Sequence, residues 1–99
     1  MRLIFASPDN RELAEQALYL DDQRPGLGAA FIDEVEKALN LVLTQPEIGR
    51  KVIRDIRRLQ IKRFPYSVRY RFDPLRQVVQ VLRISHVARD IPQDDEPRK

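Results

Sequence analysis

One histidine, no cysteine and a band of arginines bound the chemistry open to this chain. His86 is the candidate for acid–base work, because an unperturbed imidazole changes charge near neutral pH. Arg58, Lys62, Arg69, Arg71 and Arg83 are the second set. They alternate with apolar residues, the pattern of strands that show one face to water. Guanidinium groups gathered on one face suit phosphates or a carboxylate-rich peptide, through charge-assisted and often bidentate hydrogen bonds. The structural alternative is solvated strand arginine, paired with Asp55 and Asp73. Strand parity puts His86 with Leu82 and Ile84, opposite Arg83. There it reads as a half-buried histidine closing the end of a core, a placement that a bulge near Ser85 would reverse. Tyr66 and Tyr70 share parity with Val68 and Phe72, so they read as core rather than as a platform for stacked bases.

Much other chemistry has no residues to carry it. Without cysteine there is no thiolate metal site or disulfide framework, which suits a reducing compartment. One histidine argues against a protein-only zinc site, and no metal or other cofactor is expected. The carboxylates Glu12, Glu15, Asp33, Glu34 and Glu36 read as water-facing helix surface, as does Lys37. There is no phosphate-cradling glycine loop and no nucleophile elbow; Gly26, Gly28 and Gly49 read as turn residues. The apolar start, Leu3 to Ala6, is too short for a signal peptide, and no segment approaches the roughly 20 apolar residues of a membrane span. The expectation is a cytoplasmic protein with no membrane contact.

Charge is unevenly spread. Up to Gly49 the chain holds nine acidic and four basic side chains; from Arg50 on it holds fourteen basic and six acidic. The overall formal charge of +3 is modest, so the distribution carries the argument. With 99 residues the chain is expected to form one domain, residues 1–92, followed by a polar tail, 93–99.

The elements that position these residues follow from period and punctuation. Leu3 to Ala6 reads as a short strand. Ser7-Pro8-Asp9 has the order of a helix start: a capping hydroxyl, a proline suited to the first turn, and a carboxylate at the positive end of the dipole. Leu13, Ala14, Ala17, Leu18 and Leu20 carry that helix to about Gln23, ahead of Pro25. Pro25-Gly26-Leu27-Gly28 is a tight connection to a second helix, from about Ala29 to Thr44. Its buried stripe is Phe31, Val35, Ala38 and Val42, and Pro46 ends it. Pro46 to Arg50 reads as a turn and Lys51 to Asp55 as a loop. The period then becomes two: Leu59 and Ile61 against Arg58, Gln60 and Lys62; Tyr66, Val68, Tyr70 and Phe72 against Ser67, Arg69 and Arg71. After a turn at Asp73 to Arg76, the last strand sets Val78, Leu82 and Ile84 against Val79, Val81, Arg83 and Ser85, and its two apolar faces predict a central position. The fold expected is α+β, in the order β-α-α-β-β-β. A helical hairpin covers one face of a small, mainly antiparallel four-stranded sheet and leaves the arginines on the other.

In this order the segments Phe31-Ile32-Asp33-Glu34-Val35-Glu36-Lys37-Ala38-Leu39, Gln45 to Arg50, Ile56-Arg57-Arg58-Leu59, Arg63 to Tyr70 and Val81 to Asp90 resemble the RelE/ParE superfamily of type II toxins, nearest its ParE-like branch. The resemblance covers about Leu3 to Ile91. It implies a growth-inhibiting toxin neutralised by a cognate ParD-like antitoxin, whose acidic C-terminal segment would suit the arginine face. ParE-like members are associated with poisoning DNA gyrase as binding proteins, with no active site of their own. RelE-like members cut mRNA on the ribosome. On that alternative reading His86, Arg83, Arg71 and Arg69 would be the catalytic positions. The His-Tyr pair that often ends the last strand of the ribonucleases is Ser85-His86-Val87 here, without the tyrosine.

Overall fold

The computed structural model describes residues 1–6 and 11–87. Among these residues five strands and two helices run in the order β1 (Arg2–Phe5), α1 (Arg11–Gln23), α2 (Leu27–Thr44), β2 (Arg50–Ile53), β3 (Ile56–Gln60), β4 (Tyr66–Asp73) and β5 (Val78–His86). They form one sheet in the order β1-β5-β4-β3-β2. Only the β1–β5 pair is parallel. The helical hairpin lies on one face, as expected, but the sheet has five strands rather than four. The added strand is β2, read from sequence as a turn and loop; it pairs with β3 through Arg50↔Arg58, Lys51↔Arg57 and Ile53↔Ile56. The expected helix start at Ser7-Pro8-Asp9, the segment Ala88 to Asp90 and the polar tail lie outside the described residues.

The core forms where the helix stripes meet the sheet. Phe31, Val35, Ala38 and Val42 of α2 are buried, as their spacing predicts. Phe31 packs on Phe64 and Tyr66, with ring centroids 5.3 and 4.7 Å apart. On α1 the inward residues are Leu13, Gln16, Ala17 and Leu20, one residue row away from part of the expected stripe. Ala14 and Leu18 face water instead. Gln16 takes its inward place because its Nε2 donates to the Ile84 carbonyl oxygen at 3.2 Å. Glu34, expected to face water, is buried; Arg63 and Lys37 approach its carboxylate at 3.6 and 3.7 Å.

A bulge in β5 corrects the strand parity. Arg69 pairs with Arg83, but Tyr70 pairs with Val81, so Leu82 is the extra residue. Val79 and Val81 therefore join Ile84 on the helix side, whereas a continuous alternation had placed Leu82 there. Both valines are buried, and Leu82 is half-buried.

Two glycines read as turn residues do other work. Gly28 sits in the first turn of α2, where its N–H donates to Asp21 Oδ1 at 2.7 Å. A Cβ there would lie 2.4 Å from the Ala17 carbonyl oxygen, so this glycine sets how closely the helices approach. Gly49 packs against Tyr70 in the same way, with 2.6 Å from an added Cβ to Tyr70 Oη. The true hinge is Gly26, at φ +89°, a left-handed conformation that glycine adopts without strain.

Candidate partner-binding face

Residues paired across neighbouring strands share a face of the sheet. Arg50 pairs with Arg58, Arg58 with Arg69, and Arg69 with Arg83. Four arginines thus form a single row across β2, β3, β4 and β5, on the side away from the helices. At about 4.8 Å between strands, the row spans roughly 14 Å. Arg83 and Arg50 are exposed, Arg58 is half-buried and Arg69 is buried. Arg58, Arg69 and Arg83 each have a partner within the chain. One rung along lie Ser67 and Ser85, paired with each other and buried.

The five expected cations are not all brought together. Arg58, Arg69 and Arg83 stand in the row. Arg71 lies on the same face two residues along β4, opposite Gln80 and Ile56. Its Nε is 3.2 Å from both Asp55 carboxylate oxygens, and its Nη1 is 3.5 Å from Gln80 Oε1, so the chain itself engages this cation. The other expected acid, Asp73, faces Arg76 at 3.8 Å. Lys62 departs furthest from expectation. It follows the end of β3 and lines a cleft of about 170 Å³ with Glu34, Lys37, Ala38, Leu41 and Leu59, beside α2 rather than with the arginines. The strand ends at Gln60, so parity no longer governs it. Arg50 is not among the expected cations, because Pro46 to Arg50 reads from sequence as a turn. The signal was the run Lys51-Val52-Ile53 followed by a two-residue connection.

His86 is on the opposite side. It pairs with Tyr66 and meets that ring edge-on at 5.2 Å, in the aromatic group that includes Phe31 and Phe64. The set His86, Arg83, Arg71 and Arg69 is therefore divided by the sheet, with the imidazole on the helix side and the guanidinium groups beyond it. Tyr70 shares the helix side and is fully buried. Its hydroxyl accepts from Gly49 N–H and donates to the Pro46 carbonyl oxygen, both at 2.8 Å. Burial pushes its pKa above the ordinary tyrosine value, against the Gly49 hydrogen bond and the nearby Arg57 charge, which lower it. Arg57, opposite Tyr70, donates from Nη1 to the carbonyl oxygens of Gly49 and Glu47 at 2.7 and 3.1 Å. These bonds fasten the start of β2, and so Arg50, to the rest of the sheet.

The sequence matches the family described as the ParE toxin of the type II toxin–antitoxin system parDE over residues 3–91. The chain belongs to that family. The toxin's fold is similar to a chromosomal ParDE toxin–antitoxin system from P. aeruginosa, with TM-score 0.72 and 19% identity over 88% of this chain and 96% of that one. It is also similar to the intact E. coli RelBE toxin–antitoxin complex, with TM-score 0.63 and 20% identity over 85% and 93% of the two chains. The isolated E. coli RelE toxin gives TM-score 0.62 and 20% identity over 85% of this chain and 81% of that one. At such identities the likeness is one of fold. Comparison with curated proteins gives no significant match. Among the described residues of the toxin, no helix is long and apolar enough to cross a membrane, and no three His, Cys, Asp or Glu residues gather to hold a metal ion.

Proposed function

We propose that this toxin inhibits DNA gyrase by binding it, and that a cognate ParD-like antitoxin neutralises it in the cytoplasm. The row Arg50–Arg58–Arg69–Arg83 is the contact surface, with Arg71 at its flank. Lys62 is a separate contact at the α2–β3 cleft. An acidic C-terminal segment of the antitoxin lies across the row and occupies the surface that the target needs, so neutralisation is mutual exclusion. Carboxylates laid over aligned guanidinium groups gain charge-assisted hydrogen bonds.

The observation that carries this reading is the separation of His86 from the arginines. Metal-free RNA cleavage needs a proton-transfer group and cations on one phosphate. Here His86 and Arg83 sit on opposite faces, which weighs against a RelE-like ribosome-dependent ribonuclease and favours a protein that acts by binding. The family match points the same way. The test is a supercoiling and DNA-cleavage assay with purified gyrase and antitoxin-free toxin. Cleaved DNA complexes should accumulate with toxin dose, and mRNA should stay intact in a translation extract. Codon-phased cuts that vanish in His86→Ala would reverse the assignment.

A further inference from the structure

One end of the sheet gathers apolar residues that the arginine face does not use. The register places the β4–β5 turn, the start of β1 and the β2–β3 turn at this same end. Among the described residues, four of the seven large hydrophobic residues left exposed lie here: Met1, Ile48, Ile53 and Leu75. Leu75 is 94% exposed, at the tip of the β4–β5 turn. The turn is stiff. Asp73 Oδ1 accepts from the N–H groups of Leu75 and Arg76 at 3.1 and 3.2 Å, and Gln77 Nε2 donates to the Pro74 carbonyl oxygen at 2.9 Å. A side chain presented this way loses little freedom when it is buried against a partner.

At the same end, on the helix side, an open cleft of about 450 Å³ is lined by Met1, Gln45, Pro46, Glu47, Ile48 and Phe72. Its rim carries one carboxylate, Glu47, which makes no ion pair among the described residues. Beside the protruding leucine stands one cation, Arg76, whose contact with Asp73 is long and solvent-exposed, and so contributes little. Knob and cleft, cation and carboxylate therefore share one end of one molecule. A single twofold rotation can satisfy both knobs and both clefts at once.

We infer that the β4–β5 hairpin end is a self-association surface, in which Leu75 of one copy enters the Met1/Pro46/Ile48/Phe72 cleft of a second copy and Arg76 meets its Glu47. The contact is small, so the dimer is weak, with a dissociation constant in the micromolar range or above. It leaves the arginine row open, so it is independent of the function proposed above.

Sedimentation of the antitoxin-free chain from about 10 µM to about 1 mM spans this range. The mass should rise from monomer toward dimer with concentration. Leu75→Asp should abolish the rise with an unchanged circular dichroism spectrum, since the position is solvent-exposed. Glu47→Arg and Arg76→Glu should each weaken the dimer about tenfold or more, and mixing these two variants should restore it, because both inter-chain pairs regain opposite charges. A chain that stays monomeric to the highest concentration overturns the inference. So does a dimer unaffected by Leu75→Asp, or a mixture of the two charge variants that remains monomeric.

Discussion

Arg69 and Arg83 are cross-strand neighbours with different surroundings, and they should respond differently to the same change. Arg83 is exposed, so Arg83→Glu should alter stability by less than about 1 kcal/mol while weakening acidic partners. Arg69 is buried, although alternation alone had marked it as surface. Arg69→Glu should cost on the order of 3 kcal/mol, because it removes a buried group from the partner it has within the chain and leaves that partner unmatched. Urea unfolding of the two variants checks the contrast. Tyr70 gives a second test. Tyr70→Phe removes one hydroxyl and leaves Gly49 N–H and the Pro46 carbonyl without their partner, which should cost about 1–3 kcal/mol. The burial of Tyr70 keeps the phenol protonated in the fold at a pH where the unfolded chain ionises. Its contribution is fully present below about pH 10 and is lost as the pH rises above that. Tyr70→Phe should therefore flatten the alkaline limb of the stability curve, read by unfolding at pH 9 to 11. The core place of Tyr70 was legible from the four-residue alternation of β4. Its hydroxyl partners were not, because Gly49 and Pro46 reach it from the distant α2–β2 connection.

At the scale of elements, periodicity located α2, β3, β4 and β5 and most of the buried stripe, because each has enough residues to show its period. The short strand β2 escaped, since a four-residue segment exposed everywhere but at Val52 looks like a loop until its partner is known. The bulge at Leu82 also escaped. Val78 to Leu82 is apolar on both parities, so the sequence holds nothing that fixes which residue is extra. The helix pair makes a sharper prediction. Gly28→Ala sets a Cβ against the backbone carbonyl of Ala17, where no flexible side chain can yield, so α2 must move off α1. The expected loss is about 1–3 kcal/mol and a melting temperature lower by several degrees, seen by differential scanning calorimetry.

For the molecule as a whole, the acidic first half and basic second half correspond only in part to layers: Arg50, Arg58, Arg69, Arg71 and Arg83 share the sheet face away from the helices, while Arg57, Lys62 and Arg63 lie on the helix side. The motif order was enough to indicate the superfamily, because it follows the sequence of elements. The row itself was only partly legible, since register cannot be read from a single strand. A contact made by four aligned cations should be strongly salt-dependent. The affinity for an acidic antitoxin peptide should fall steeply between about 0.05 and 0.5 M salt, and Arg83→Glu should flatten that slope. Fluorescence anisotropy with a labelled peptide reads both. The central claim, action by binding through the arginine face, meets its most direct test in the gyrase cleavage assay run with three proteins. The wild type and His86→Ala should trap cleaved DNA at similar doses, and Arg83→Glu should trap little at the same dose. Equal potency of Arg83→Glu and the wild type, or loss of trapping in a folded His86→Ala, would contradict it.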